Sequence, residues 1–188
     1  TFADLFCGCG GSSLGFKQVG FRHLWGLDSD RVTCDSYEAN IGRAVCADAA
    51  SVDWLSLEKP DVLIGSPPCQ GFSVAGKRQK DDPRNFLVWE TLKAIQALQP
   101  GMVVIENVPG FLSHPFFWLG LYALMGLGYQ VDWRMLDAAS YGVPQRRHRV
   151  FIVGRKLKCP NCGKSVNTVG GNITYSLRRT SHLPIAQD

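Results

Sequence analysis

Short apolar runs alternate along the chain with longer stretches in which apolar residues recur at helical spacing. The runs predict seven strands, and the stretches between them predict four helices. The predicted strands are Phe2–Phe6, His23–Asp28, Ala44–Ala47, Val62–Gly65, Met102–Val108, Tyr129–Leu136 and Val150–Gly154, and the predicted helices are Ser12–Val19, Asp30–Asn40, Asn85–Leu98 and Phe116–Met125. This alternation is typical of an α/β fold with a parallel sheet flanked by helices.

The alternation stops near Arg155, and the remaining residues are rich in Gly, Asn, Thr and Arg. We therefore predict an ordered domain over residues 1–155 and an irregular basic tail over residues 156–188. The most apolar stretch, Phe116–Tyr129, contains glycines and is shorter than the roughly 20 residues of a membrane span, so it predicts a core helix. Thr1 already belongs to a predicted strand, so we expect the chain to be part of a longer gene product.

Charge is distributed unevenly along the 188 residues, although the net charge is only +4. Residues 1–143 contain 11 Lys or Arg and 15 Asp or Glu, whereas residues 144–188 contain 9 and 1. A basic last quarter on an acidic body favours a polyanionic partner such as nucleic acid, with a solvated basic tail as the alternative. The seven cysteines are an odd number with no secreted-framework spacing and no signal peptide, which favours a reduced cytosolic compartment.

A glycine-rich loop and two acids follow the first three predicted strands. The sequence Asp4-Leu-Phe-Cys-Gly-Cys-Gly-Gly11 leaves the first strand, and Ser12 or Ser13 is predicted to cap the next helix. Asp28 and Asp48 end the second and third strands, where carboxylates can accept hydrogen bonds from ribose hydroxyls. Together these strand ends indicate a pocket for an adenosine-type ligand, with ordinary turn chemistry as the alternative.

Cys69 follows two prolines at the end of the fourth predicted strand, in Gly65-Ser-Pro-Pro-Cys-Gln-Gly-Phe-Ser73. The prolines stiffen the loop, so we expect a rigid, exposed thiol that can act as a nucleophile. Cys34 and Cys46 lack such surroundings and are expected to be buried and inert.

Charged residues also end the fifth strand and precede the seventh. Glu106 follows the apolar run Met102–Ile105, and a carboxyl buried there can hold or donate a proton; the alternative is a capping or Arg-paired residue. Arg147 and Arg149 are two apart on an extended segment, so their side chains share a face. Arg146 and His148 are expected to point away.

In order along the chain, DLFCGCGG, Asp28, GSPPCQGFS, DDPRNFLVWE, ENVPG and QRRHRVFIVG resemble the motifs of the cytosine-C5 DNA methyltransferase family. The resemblance covers residues 1 to about 155. It implies a Rossmann-like, S-adenosylmethionine-dependent methyltransferase fold, with a mostly parallel seven-stranded sheet that ends in an antiparallel hairpin and has helices on both faces. It also implies a bacterial, nucleoid-associated enzyme of the cytoplasm that belongs to a restriction-modification system, or a nuclear one in a eukaryote.

The resemblance assigns roles residue by residue. The cofactor S-adenosyl-L-methionine is expected to contact Phe6, Gly8, Cys9, Gly11, Asp28, Ser29, Asp48, Ala49, Pro68 and Leu87. Cys69, Glu106, Arg147 and Arg149 are the implied catalytic residues. Pro68, Gln70, Ser73 and Asn107 are the implied contacts with double-stranded DNA, and no metal is implied. The basic loop over residues 77–80 is a further implied DNA contact.

The implied reaction begins when the Cys69 thiolate adds to C6 of a cytosine that has been flipped out of the duplex. Glu106 then contacts N3 and the exocyclic amine, while Arg147 and Arg149 orient the base. The activated C5 takes the methyl group, and loss of the C5 proton and elimination of Cys69 release 5-methylcytosine.

Several alternatives stay open. The large variable region and the late motif of complete family members are not found, so a second polypeptide or further chain is expected to supply them. In one alternative the enzyme methylates cytosine in RNA rather than in DNA. In another, the chain is a binding subunit or a remnant that keeps the pocket but does not catalyse the reaction. Cys159 and Cys162 form half of a zinc motif, and the second apolar face of the helix near residue 118 is a possible partner surface.

Overall fold

The computed structural model describes residues 1–68 and 87–156. Seven strands and four helices alternate along these ranges. The strands are β1 (Phe2–Leu5), β2 (His23–Asp28), β3 (Ala44–Cys46), β4 (Val62–Gly65), β5 (Met102–Asn107), β6 (Tyr129–Asp137) and β7 (His148–Lys156). The helices are α1 (Gly11–Gln18), α2 (Arg31–Asn40), α3 (Leu87–Leu98) and α4 (Pro115–Gly126), with short 3-10 turns between them.

The seven strands form one sheet in the order β3-β2-β1-β4-β5-β7-β6. β1 to β5 run parallel, and β7 pairs antiparallel with both β5 and β6. The order reverses between β1 and β4, which is the switch point where open α/β sheets bind ligands at the carboxyl ends of the strands. This architecture confirms the predicted α/β fold with an antiparallel last hairpin.

The main hydrophobic core lies between the sheet and the α3–α4 layer. Strand residues such as Leu63 and Val103 pack there against Ile95 of α3 and Phe117 and Leu124 of α4. On the opposite face, Phe16 of α1 packs against a smaller cluster formed by Phe2, Val62 and Ile64. The alternation of these side chains along each strand follows from the two-residue period of extended backbone.

The helix α4 has one buried face and one exposed face. Phe117, Leu121 and Leu124 are buried, whereas Trp118 and Tyr122 are more than half exposed. The predicted core helix is therefore correct for one face only, and the partner surface on the other face stays a prediction. α4 is strongly apolar, yet no helix within the two described ranges is long and hydrophobic enough to cross a membrane.

Two sequence predictions about local structure are wrong. Neither Ser12 nor Ser13 caps α1, because the helix begins after Gly10 in a left-handed conformation, and Ser13 is buried with its hydroxyl bound to the sheet. Cys34 is buried as expected, but Cys46 is exposed because it is the last residue of the edge strand β3.

Candidate active site

The loop between β1 and α1 changes direction through residues with positive φ. Gly8 and Gly10 have φ of 54° and 92°, and the non-glycine residue Phe6 has φ of 57°. The left-handed conformation costs a residue with a side chain on the order of 1 kcal/mol, and such strained positions cluster at functional sites. Contacts with the rest of the fold must therefore hold this loop in a backbone conformation that Phe6 would not favour on its own.

A buried polar chain beneath the loop supplies such contacts. Asp4 of β1 accepts a hydrogen bond from Ser13 Oγ at 2.7 Å, and Ser13 Oγ lies 2.6 Å from Tyr37 Oη. Since the Ser13 hydroxyl proton goes to Asp4, Tyr37 donates to Ser13 and accepts in turn from His23 Nε2 at 2.9 Å. Burial raises the pKa of Asp4 to about 6, and burial lowers the pKa of His23. This chain fixes α1 and α2 to the sheet.

Glycine is required where Tyr37 packs against the sheet. A Cβ on Gly26 would lie 2.4 Å from Cζ of the Tyr37 ring, and a Cβ on Gly10 would lie 2.4 Å from Cγ1 of Ile41. Glycine at position 26 therefore leaves the room that the Tyr37 ring needs, a requirement that local sequence patterns did not reveal.

Asp28 is held by the same loop. Its Oδ2 accepts a hydrogen bond from Gly8 N at 3.0 Å, and its Oδ1 accepts from Asp30 N at 3.1 Å. Asp48 accepts from Ala50 N at 2.9 Å through its Oδ1. Backbone donors thus orient both carboxylates at the carboxyl edge of the sheet.

A cavity of about 430 Å³, which we call the acidic cavity, contains both carboxylates. Its lining brings together seven of the predicted cofactor contacts, namely Phe6, Asp28, Ser29, Asp48, Ala49, Pro68 and Leu87. It also contains Leu27, Ala47 and Ser66, which the sequence reasoning missed although each is next to, or two residues from, a predicted contact.

The other three predicted cofactor contacts do not line this cavity. Gly8 donates a hydrogen bond to Asp28, which does line the cavity. Cys9 is exposed. Gly11 lines a second cavity on the other side of the loop.

This second cavity, which we call the groove, has a volume of about 630 Å³ and runs between α1 and the ends of β5, β6 and β7. Glu106, Arg147 and Arg149 all line it, so the predicted shared face of the two arginines is confirmed. Arg149 Nε lies 2.8 Å from Glu106 Oε1 in an ion pair, and each side chain is about one fifth exposed. Glu106 is therefore the Arg-paired carboxylate of the alternative interpretation.

Asp137 positions the segment that carries the arginines. Its Oδ1 accepts a hydrogen bond from Arg147 N at 2.9 Å, and the Ala138 N–H donates to the Arg147 carbonyl at 3.0 Å. His148 Nε2 lies 3.6 Å from Asp137 Oδ2, so His148 points away from the groove toward this carboxylate. Asp137 was missed from the sequence, although an acid before Ala-Ala-Ser is a typical capping signal.

Asn107 joins the end of β5 to the loop after β4. Its side chain is buried, donates to the Pro67 carbonyl at 3.3 Å and accepts from Val108 N at 2.8 Å. Its amide is therefore engaged with the backbone, which favours a role in positioning the loop over the predicted direct contact with substrate. Pro67 and Pro68 are the last described residues before Cys69.

The remaining predicted site residues lie outside the described ranges. They are Cys69, Gln70, Ser73 and the basic loop over residues 77–80, together with Cys159 and Cys162. Within residues 1–68 and 87–156, no group of three or more His, Cys, Asp or Glu side chains could hold a metal ion.

Comparison with known proteins gives a family and several relatives. Residues 1–177 match the family model of the C-5 cytosine-specific DNA methylases. The chain is similar to the type II methyltransferase M1.HphI of Haemophilus parahaemolyticus, with 38% identity over 170 residues that cover 83% of this chain and 46% of the relative. It is also similar to M.AquIA of a Picosynechococcus strain, with 36% identity over 82% of this chain and 71% of the relative.

Solved structures agree with this comparison. A chain described as a DNA modification methyltransferase encoded within a prophage (E. coli) superposes with a TM-score of 0.70 and 30% identity, over 82% of this chain and 46% of that one. The S. pombe Dnmt2 methyltransferase shares the fold with a TM-score of 0.68, over 82% of this chain and 50% of that one. The chain spans less than half the length of M1.HphI.

Proposed function

Because the chain belongs to the C-5 cytosine-specific DNA methylase family, we propose that it transfers the methyl group of S-adenosyl-L-methionine to C5 of a cytosine in double-stranded DNA. The observation that carries this proposal is the position of two cavities on either side of the β1–α1 loop. One contains Asp28 and Asp48, and the other contains the Glu106–Arg149 pair.

The residues of the acidic cavity fit S-adenosyl-L-methionine. Two oriented carboxylates can accept hydrogen bonds from ribose hydroxyls and from an exocyclic amine, while Phe6, Pro68 and Leu87 offer apolar surface for a purine. A volume of about 430 Å³ is within the usual range for a site of this kind. When bound, this cofactor supplies an electrophilic methyl group on a positively charged sulfur.

Cys69 is the proposed nucleophile. It is bonded to Pro68, which lines the acidic cavity, and Asn107 holds the preceding Pro67 carbonyl. Addition of the Cys69 thiolate to C6 of cytosine makes C5 electron-rich enough to accept a methyl group. Loss of the C5 proton then lets the Cys69–C6 bond break and restores the aromatic ring.

Glu106 and the two arginines stabilise the reacting base. The Glu106 carboxyl contacts N3 and the exocyclic amine of cytosine, which favours a proton at N3 while charge develops on the ring. Arg149 already orients this carboxyl through the 2.8 Å contact, and Arg147 lines the same groove. Since both arginines line the groove, their guanidinium groups can stabilise negative charge that develops on a base bound there.

The relatives favour DNA over RNA as the substrate. The type II methyltransferases that resemble the chain are 33–40% identical to it, whereas the Dnmt2 structures are below 25% and support the fold alone. A cytosine in duplex DNA must leave the base stack before Cys69 can reach C6. We further propose a cytoplasmic role in a restriction-modification system, with residues 1–155 as the catalytic domain.

A segment or polypeptide beyond these residues is proposed to complete the DNA-reading part of the enzyme. The chain covers 46% of M1.HphI, whereas it covers 71% of M.AquIA, so family members differ in how much they carry besides this region. The tail over residues 156–188 is proposed as the start of that part.

The decisive experiment uses protein expressed from the complete gene, with S-adenosyl-L-methionine that carries a labelled methyl group. We expect label in duplex DNA but not in tRNA, and a covalent protein–DNA adduct when the duplex contains 5-fluorocytosine. The Cys69→Ala variant should give neither label nor adduct. Label in tRNA alone would move the proposal to RNA, and the absence of any adduct from the unsubstituted protein would refute the covalent route.

A further inference from the structure

Two cysteines lie side by side behind the acidic cavity. Cys34 is a buried residue of α2, and Cys46 is the exposed last residue of β3. Both lie near the Asp28 carbonyl. This carbonyl accepts a hydrogen bond from Cys34 Sγ at 3.4 Å and another, at 3.0 Å, from the N–H of Ala47, the residue after Cys46. Asp28 is also the direct lateral partner of Cys46 in the pairing of β2 with β3. Both cysteines are therefore next to Asp28.

The side chains of the two cysteines lie on the same side of the sheet. Cys46 is on the sheet face that α2 covers, since it shares that face with Gly26 and Asp28, and Cys34 reaches the same place from α2 through its contact with the Asp28 carbonyl. Burial and the Cys46 thiol raise the pKa of Cys34 to about 12, so Cys34 remains a thiol at neutral pH. Cys46 is the member of the pair that a reagent in solution meets first.

A positive charge lies beside the pair. The Arg31 guanidinium, at the start of α2, interacts electrostatically with both Cys34 and Cys46 and forms an ion pair with Asp35 at 2.9 Å. The exposed thiol, its buried neighbour and this cation are the elements of a resolving-cysteine pair.

We propose that Cys34 and Cys46 form a redox-active thiol pair, which a peroxide converts to a disulfide and a trivalent arsenical bridges. The Cys46 thiolate attacks one oxygen of hydrogen peroxide and the O–O bond breaks, so that Cys46 becomes a sulfenic acid. The other oxygen leaves as hydroxide, which takes up the proton that Cys46 lost on ionisation and becomes water. The Cys34 sulfur then attacks the Cys46 sulfur, the S–O bond breaks, and the Cys34 proton leaves with the hydroxide as a second water. Two thiols are oxidised and one peroxide is reduced to two waters.

The disulfide acts on the acidic cavity through Asp28. It removes the hydrogen bond from Cys34 to the Asp28 carbonyl and brings the two sulfur atoms to about 2 Å, which draws α2 toward the end of β3. Asp28, Ala47 and Asp48 line the cavity on this side. We therefore expect oxidised protein to bind S-adenosyl-L-methionine roughly tenfold more weakly; this consequence rests on the proposed function.

The test uses a variant of the complete protein in which Cys9, Cys69, Cys159 and Cys162 are replaced by serine, so that Cys7, Cys34 and Cys46 remain of the seven cysteines in this sequence. Hydrogen peroxide should remove two hydrogen atoms from the intact mass, and peptide mapping should find Cys34 linked to Cys46, reversibly on reduction. Phenylarsine oxide should bind with one equivalent per chain. A linkage to Cys7, a linkage between chains, or accumulation of Cys46 sulfenic acid would overturn the proposal.

Two matched controls separate the pair from a single reactive thiol. In the same background, Cys34→Ser should leave Cys46 as a sulfenic acid that dimedone traps, and Cys46→Ser should leave Cys34 unmodified because it is buried. Both variants should lose the arsenical. Retention of the arsenical by either variant would contradict a two-thiol site.

Calorimetry of cofactor binding distinguishes this proposal from the proposed function. If reduced protein binds S-adenosyl-L-methionine and the oxidised form binds it equally well, the link to the cavity is refuted. If reduced protein does not bind the cofactor at all, the proposed function fails, whereas the mass shift still decides the thiol pair.

Discussion

The Glu106 carboxylate and the Arg149 guanidinium form an ion pair across two antiparallel strands, with Arg149 Nε 2.8 Å from Glu106 Oε1. The two residues are not directly opposite in the register, since Glu106 faces Phe151 and Arg149 lies two positions earlier in β7. The pair is therefore diagonal and lies at the carboxyl end of β5. It presents the carboxyl group to the groove in a fixed orientation.

Replacement of Glu106 by glutamine tests this arrangement. Glu106→Gln should lower the rate of methyl transfer by about 100-fold or more, because a neutral amide neither holds a proton at N3 nor pairs with Arg149. Cofactor affinity should change little, since Glu106 lines the groove rather than the acidic cavity. Single-turnover kinetics and calorimetry measure the two quantities.

The control is Glu90→Gln on the helix α3. Glu90 pairs with Lys93 at 2.8 Å and lines neither cavity, so its loss should leave the methyl-transfer rate close to that of the unsubstituted protein. Equal losses in both variants would indicate a general effect of charge and contradict a role at the site.

Asp4 should make stability depend on pH. Its folded pKa of about 6 lies above the ordinary value of 3.8, so the folded state retains a proton that the unfolded state releases. The stability that comes from this proton is full below about pH 4 and is lost as pH rises through about 6. Asp4→Asn keeps the site neutral, so its unfolding free energy relative to wild type should rise by about 3 kcal/mol between these limits.

Urea unfolding of both proteins at several pH values measures this difference. Parallel curves for wild type and Asp4→Asn would show that Asp4 titrates alike in the folded and unfolded chains.

Tyr37→Phe should destabilise the fold by about 1–3 kcal/mol, because it removes the hydroxyl that joins Ser13 to His23 and leaves buried polar atoms unpaired. Tyr122→Phe is the matched control, since Tyr122 is 66% exposed on α4 and its hydroxyl faces solvent. Denaturant unfolding should separate the two variants clearly. A loss in Tyr37→Phe no larger than that in the control would exclude a stabilising chain beneath the loop.

Gly26→Ala should cost about 1–3 kcal/mol, because its Cβ would lie 2.4 Å from Cζ of the Tyr37 ring and α2 would have to shift. Gly120→Ala within α4 should instead stabilise the protein by up to about 1 kcal/mol, since a Cβ there meets no atom within 4 Å and alanine favours a helix. Thermal unfolding should therefore move in opposite directions for the two variants. The same sign in both would contradict the packing described.

The two faces of α4 should respond differently to truncation. Phe117→Ala should cost about 3–5 kcal/mol, because the buried ring contacts Phe111 and Trp133 edge to face. Trp118→Ala should change stability by no more than about 1 kcal/mol, since Trp118 is 53% exposed. Similar losses at both positions, measured by urea unfolding, would mean that the exposed face also packs against protein.

The sequence predicted the strand ends and most of the acidic cavity because these depend on local patterns. Short, continuously buried apolar runs define β2 and β4, and Asp28, Asp48 and Pro68 lie at or within three residues of the carboxyl ends of their strands. The carboxyl ends of parallel strands meet at one edge of the sheet. Residues near these ends could therefore be predicted to lie close together in the fold.

The parts that failed depend on contacts between residues that are distant in sequence. Ser13 has the chemistry of a helix cap, but a carboxylate nine residues earlier takes its hydroxyl. Cys46 is apolar in character, yet the edge position of β3 exposes it. The burial of Asn107 likewise depends on Pro67, which lies 40 residues away.

The position of β7 affects how the sheet can be assembled during synthesis. β7 is the last described strand in the chain, but it lies between β5 and β6 and is the only strand partner of β6 within the described residues. The parallel half, β1 to β5, can therefore pair before residue 148 leaves the ribosome, whereas β5 keeps an open edge until β7 arrives. A ribosome that stalls in this interval would expose that edge to other nascent chains, so translation speed near residue 148 bears directly on aggregation.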